Sequence, residues 1–153
     1  MVRYDINVET GPVVRKLRRI GRDMPEINRK ILGLLSEETI TNSQQMYMRG
    51  PRGGTFIQAR TGKLSQSLTY RVGKDYADVG TNLVYARIHE YGGTIYPKHG
   101  KYLVFTINGQ KIFATKVKIP KRPYLKPALD NLFQSGRAQL IADRELQRQL
   151  DRR

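Results

Sequence analysis

The sequence predicts an α+β fold in which N-terminal helices precede an antiparallel sheet built from two hairpins and a helix follows the sheet. Three observations support this prediction. Apolar residues recur at helical spacing towards both ends of the chain. Between them, apolar and polar residues alternate with the period of half-buried strands. One alternating segment ends at Asn108-Gly109, whose residues tolerate the positive φ of a type I′ hairpin turn.

Two start signals predict the N-terminal helices. Pro12 lies in the first turn of a short basic helix, in which apolar residues follow at i, i+4 and i+7. Residues 23–26, Asp-Met-Pro-Glu, have the spacing of a capping box, so we expect a second helix to begin there. Gly50-Pro51 is predicted to end it.

The first hairpin follows a predicted flexible loop. Residues 50–62 are rich in glycine and contain no acid, which indicates a mobile and basic loop. Residues 68–72 then alternate as a strand, and Gly73-Lys74-Asp75 supplies a turn. Residues 76–81 are expected to pair back as the second strand.

The second hairpin is predicted to be long and to span residues 95–118. A brief helix at 85–91 precedes it and is ended by Gly92-Gly93. The return strand is expected to run from Lys111 to Ile119, because its last residues alternate strictly between charged and apolar side chains.

A proline-rich corner leads into the C-terminal helix. Residues 120–127 contain three prolines, which break the strand, and an apolar helical face follows up to an interruption at Ser135-Gly136. We expect residues 1–136 to form a single α+β domain and residues 137–153 a helical tail that projects or docks on a neighbour.

The positive charge is distributed unevenly. The formal net charge is +15 over 153 residues, yet residues 39–74 and residues 91–129 contain no Asp or Glu. Two long acid-free stretches favour a polyanionic partner or a strongly acidic protein neighbour. A sequence-independent nucleic-acid-binding protein is therefore one possible function.

The search for catalytic chemistry yields little. The chain has no cysteine, and its one adjacent histidine–carboxylate pair is His89-Glu90. Consecutive helical residues point about 100° apart, which does not suit an acid–base pair. Gly62-Lys63 lacks the other residues of a phosphate-binding loop, and no HExxH or GxSxG motif is present. We therefore expect no enzymatic activity, cofactor or metal site, and with no long apolar run we expect a soluble cytoplasmic product that spans no membrane.

Four short motifs in a fixed order resemble the tail-completion and neck proteins of tailed bacteriophages, a group that includes the virion morphogenesis proteins of Mu-like phages. The motifs lie at residues 60–68, 79–82, 85–93 and 119–129. The positions that carry the resemblance are Thr61, Gly62, Leu64, Gly80, Thr81, Tyr85, Ala86, His89, Glu90, Tyr91, Gly92, Pro120, Arg122, Pro123, Tyr124 and Leu125.

The resemblance implies a structural virion protein that assembles into a ring, commonly a hexamer, at the head–tail junction. It also implies partners on either side, a head connector or stopper protein and a tail-tube or tail-terminator protein. Such a subunit is made in the cytoplasm of the host bacterium and functions in the neck of the virion. A basic lumen could accommodate passing genomic DNA. Residues expected to face that lumen, or an acidic partner, are Arg52, Lys98, Lys101 and Lys111.

Overall fold

The computed structural model describes residues 11–48 and 62–151 and confirms the α+β class. The predicted loop lies almost entirely outside these residues, as do Arg52 and Thr61. The helices are α1 (Gly11–Asn42), α2 (Lys63–Gln66), α3 (Ala86–Tyr91), α4 (Lys126–Gln134) and α5 (Arg137–Asp151), with a π-helical turn at Ser43–Tyr47. The strands are β1 (Thr69–Val72), β2 (Ala77–Gly80), β3 (Gly93–Ile95), β4 (Leu103–Ile107), β5 (Gln110–Ala114) and β6 (Val117–Ile119).

The predicted break between two N-terminal helices is wrong, because α1 continues for 32 residues through Pro25. A proline inside a helix removes one hydrogen bond and costs about 3 kcal/mol. Pro25 is exposed, and the residue one turn before it is Gly21, whose backbone adapts readily. From Ile27 onwards α1 packs against α4, α5 and the first hairpin. This burial along a continuous helix offsets the local cost of the proline.

The first predicted hairpin is confirmed, and the tip of the second is confirmed in detail. β1 and β2 pair antiparallel, with Thr69 opposite Gly80. β4 and β5 pair across Asn108-Gly109, whose φ angles of 50° and 82° are both positive, as a type I′ turn requires.

The return strand differs from the prediction because it is divided. β5 ends at Ala114, and β6 pairs instead with β3, placing Gly93 opposite Ile119. Residues 93–95 are too short to give a strand signal in the sequence. The third pair brings the end of α3 beside the proline-rich corner, and this contact positions the candidate site.

The helix break at Gly136 is confirmed, and α5 packs against α1 of its own chain instead of projecting. Gly136 has a φ of 71°. The Lys30 ammonium lies 2.7 Å from Oε1 of Glu145, whose side chain is 4% exposed, and this bond lowers the pKa of the Glu145 carboxyl. The division into a domain at 1–136 and a tail stays a prediction. Among the described residues, no helix has both the length and the apolar character needed to cross a bilayer.

Candidate functional site

Three of the four predicted motifs contribute side chains to one buried cluster. Its core is formed by side chains from four separate segments, and partly buried residues surround them. The buried members are Met48, Leu64, Leu68, Ala86 and Tyr124, and the surrounding residues are Ile40, Tyr47, Leu83 and Leu125. Motif positions that are far apart along the chain therefore meet in space, which indicates that they hold the fold together.

Glu90 links α3 to the start of α4 and is 6% exposed. Its Oε2 accepts hydrogen bonds from the backbone N–H of Tyr124 at 2.8 Å and of Leu125 at 3.1 Å. Its Oε1 accepts a bond from the N–H of Lys126 at 2.9 Å. The first N–H groups of a helix lack partners within the helix, and a negative charge is favourable at that end. Glu90 therefore caps α4 from a distant helix, and we call this arrangement the Glu90 clamp.

His89 reinforces the same corner through its backbone. Its carbonyl accepts a hydrogen bond from the Arg122 N–H at 2.8 Å, while its ring packs edge-on against Tyr85 at 6.0 Å between centroids. Nδ1 of His89 is buried and has no hydrogen-bond partner among the described residues. Burial lowers the pKa of this imidazole, and the positive charge of Arg122 lowers it further. His89 thus contributes its backbone carbonyl, and Glu90 its carboxylate, to the contact between α3 and the corner.

Two glycines allow these close approaches. Gly92 ends α3 with a φ of 72°, and a Cβ there would lie 3.0 Å from the backbone nitrogen of Lys121. Gly62 has a φ of 69° and precedes α2 as its N-cap. Both conformations favour glycine, which explains why these positions belong to the motifs.

A hydroxyl contact joins the first two motifs. Oγ of Ser67 lies 2.6 Å from Oγ1 of Thr81, and Thr81 Oγ1 also accepts a bond from the Leu83 N–H at 3.2 Å. Sequence analysis identified Thr81 but missed the pairing with Ser67 and the burial of Met48, which is 2% exposed. No local pattern marks either residue, because both are defined by contacts across the fold.

Of the remaining predicted positions that the structure describes, Gly80, Arg122 and Pro123 are half-buried and the others are exposed. Lys98, Lys101 and Lys111 are exposed and take no part in the buried cluster. Tyr91 is 69% exposed, and Tyr85 is 43% exposed. In the described part of the chain, no group of three or more His, Asp and Glu side chains is placed to hold a metal ion.

One face of the β4–β5 hairpin carries exposed apolar side chains. Val104 lies directly opposite Phe113, and they are 58% and 62% exposed. Tyr102, 53% exposed, meets the Phe113 ring edge-on at 6.4 Å. We call these three residues the hairpin face. The register places Lys111, opposite Thr106, on the same face near the turn.

A second apolar surface is concave. A groove of about 620 Å³ lies between α1, β2 and α4, and we call it the α1–α4 groove. Leu129 and Phe133 on its α4 wall are 43% and 59% exposed. Other residues along it include Leu32, Leu35, Val79 and Leu125.

Comparison with known proteins identifies the family. The family model described as the phage virion morphogenesis family matches residues 38–144, which is well over half of the chain and includes all four motifs. No curated protein and no solved structure matches the chain. The matched region contains the Glu90 clamp, the buried cluster, the hairpin face and the β2 and α4 walls of the groove. It confirms the resemblance that the motifs predicted. The chain therefore belongs to the phage virion morphogenesis family.

Proposed function

We propose that the protein is a tail-completion or neck subunit that assembles into a hexameric ring at the head–tail junction of a tailed phage. Family membership indicates a structural role in virion assembly. The observation that supports a ring is the exposure of the hairpin face, since apolar residues clustered on a projecting element mark an interaction site. The Glu90 clamp would hold the chain rigid beneath that face while neighbouring subunits assemble on it.

The partners follow from this position. One rim of the ring would contact the head connector or stopper protein, and the other would contact the tail tube or tail terminator. Such a ring works by joining surfaces and needs no catalytic group. The geometry of His89 and Glu90, which are used to hold a corner, supports a structural function over an enzymatic one.

Deleting the gene from its phage is expected to leave heads and tails that fail to join, or tails of abnormal length. The reason is that a neck subunit completes a surface that neither particle supplies alone. Electron microscopy of lysates provides the measurement, and the wild-type gene supplied from a plasmid is the control. Virions of normal shape and infectivity from the deletion phage would contradict the proposal.

The basic residues suggest what passes through the ring. Lys98, Lys101 and Lys111 are exposed within an acid-free stretch, and we propose that they line the lumen or rim together with Arg52. Contacts with phosphates would carry no sequence preference and would weaken steeply with salt. The same exposed charges support the alternative function, sequence-independent nucleic-acid binding outside a virion.

Replacing these four residues with glutamine is expected to leave folding intact and to lower retention of DNA in the neck. Solvated surface charges contribute little to stability, so the free energy of unfolding should change by no more than about 0.5 kcal/mol. Retention is measured as DNA released from joined particles at increasing salt. A docking assay with DNA-free particles is the control, because loss of docking there would assign the charge to an acidic protein partner instead.

A further inference from the structure

Each subunit carries two apolar surfaces of opposite shape that do not meet within the chain. The hairpin face projects outward, and β4 and β5 pack on each other with only marginal contacts to other helices and strands of the described chain. The α1–α4 groove is concave and lies on other elements. We propose that the hairpin face of one subunit docks in the α1–α4 groove of an adjacent copy. This inference rests on the proposed self-assembly and specifies its contact.

The hairpin face has the properties of a surface that is covered in the assembled state. An isolated two-stranded hairpin is marginally stable in water. The opposite face of the hairpin is half-buried and carries Leu103, Phe105 and Ile112. On the hairpin face itself, each side chain is more than half exposed. Apolar side chains on both faces of a projecting hairpin indicate that a partner covers the outer one.

The groove can receive apolar side chains without leaving polar groups unsatisfied. Ser36 and Thr39 lie along it, but their hydroxyls already donate to the carbonyls of Leu32 and Leu35 at 2.7 and 2.8 Å. The α4 wall exposes Leu129 and Phe133. Aromatic rings from a neighbour would therefore contact a largely apolar surface. The hydroxyls of α1 along it already have hydrogen-bond partners within α1, so covering them leaves no donor unsatisfied.

Charge favours the same orientation. Lys111 shares the face of Val104 and Phe113, so this docking would turn Lys111 towards the neighbouring subunit and leave the other lumen candidates at the lumen or rim. Residues 91–129 contain no acid. The groove in turn is lined by Glu90, Asp130 and Lys126, which together carry one net negative charge. The Glu90 carboxylate is buried in its clamp, so the carboxylate that a neighbour can reach is that of Asp130. Asp130 is 2.7 Å from the Lys126 ammonium in an exposed pair, which is weak enough to be shared with a second cation. A cation beside an apolar face thus meets the Asp130 carboxylate beside an apolar groove.

The occupant that this geometry favours is a second copy of the chain. Two complementary surfaces at different places on one molecule produce a head-to-tail contact, and such contacts close into a ring when the rotation permits. Each aromatic ring buries about 150–250 Å². Even the two rings of the hairpin face together fall well short of the roughly 800 Å² per partner of a standard interface, so a single contact is weak. In a closed ring every subunit makes two such contacts, which stabilises the assembly.

Cross-linking tests the contact directly, because the sequence contains no cysteine. Phe113→Cys and Leu129→Cys place thiols on exposed positions of the hairpin face and the groove. A short bifunctional maleimide should give a covalent dimer when the two variants are mixed, but not with either alone. The double variant should give a ladder of multimers. Gln139→Cys, on an exposed position of α5, is the matched control and should not link to Phe113→Cys.

Each other outcome overturns the docking. A dimer from Phe113→Cys alone would mean that two hairpin faces pair with each other. If Phe113→Cys linked equally well to Gln139→Cys, the cross-links would reflect random collision. If Phe113→Cys and Leu129→Cys gave no link in any mixture, including one with isolated heads or tails, the groove would not receive the hairpin. Failure of the docking is distinguishable from failure of the proposed function. If heads and tails still fail to join in the deletion phage, the function stands without this contact.

Discussion

Replacing Glu90 with alanine is expected to lower the free energy of unfolding by about 3–5 kcal/mol, since a lost acceptor costs about 1–3 kcal/mol for each donor left unsatisfied. Three backbone N–H groups lose a charged acceptor together. The Tyr124 N–H is buried and has no access to water, whereas those of Leu125 and Lys126 are partly buried and can be hydrated in part. A total stability of about 5–15 kcal/mol is usual for a domain, so a domain at the lower end of that range would retain only about 0–2 kcal/mol in this variant.

Chemical denaturation measures this effect, and two further variants define its cause. Glu90→Gln keeps one carbonyl oxygen for two of the donors but turns an amide NH₂ towards the third, so we expect an intermediate loss of about 1–3 kcal/mol. Glu37→Gln is the matched control, because Glu37 is exposed on α1 and accepts a single bond from the Tyr70 hydroxyl. It should change stability by less than about 0.5 kcal/mol. Equal effects of Glu90→Ala and Glu37→Gln would show that the clamp does not stabilise the fold.

Replacing Tyr124 with alanine is expected to cost about 3–5 kcal/mol, the range for removing a large aromatic side chain from a core. Tyr124 is 1% exposed and packs among the buried residues of the motifs. Thermal or urea unfolding is the measurement. Tyr96→Ala is the control, because Tyr96 is 62% exposed and its removal leaves no internal cavity. Similar losses in both variants would contradict the central position of Tyr124.

Tyr124 also makes stability depend on alkaline pH. Burial raises the pKa of its hydroxyl from 10.0 to about 12, and the nearby negative charge of Glu90 contributes. Between these values the unfolded chain loses the proton more readily than the folded chain, so stability falls as pH rises from 10 to 12. The loss should approach about 2–3 kcal/mol at 1.36 kcal/mol per pKa unit. Tyr124→Phe should lack this component, and an unchanged alkaline dependence in that variant would refute the assignment.

The clamp gives a physical account of the motifs. The segments at 85–93 and 119–129 are joined by three hydrogen bonds to the Glu90 carboxylate, by one to the His89 carbonyl and by the strand pairing of Gly93 with Ile119. Gly92 allows the two segments to approach because a side chain would press against Lys121. The motifs therefore set one corner of the fold, and the exposed hairpin and groove beside it remain available for neighbours.

The sequence alone determined the features that depend on neighbouring residues. Alternation over a few positions predicted both hairpins, Asn108-Gly109 predicted the turn, and Gly136 predicted a helix break. The four motifs also predicted the family. These signals are local, because side-chain periodicity and positive φ are properties of a short stretch of chain.

Tertiary structure decided the features that depend on residues far apart. Pro25 predicted a helix start, yet packing on other elements keeps α1 continuous. The sequence showed only that Glu90 follows His89 in an arrangement unsuited to acid–base chemistry. Its acceptor role exists because Tyr124, 34 residues later, folds back against it. The residues of β6 were likewise predicted to continue the return strand of the second hairpin, but they pair with β3. A buried carboxylate or a short strand forms hydrogen bonds with the groups that the fold places beside it. The spacing of residues along the chain does not identify those partners.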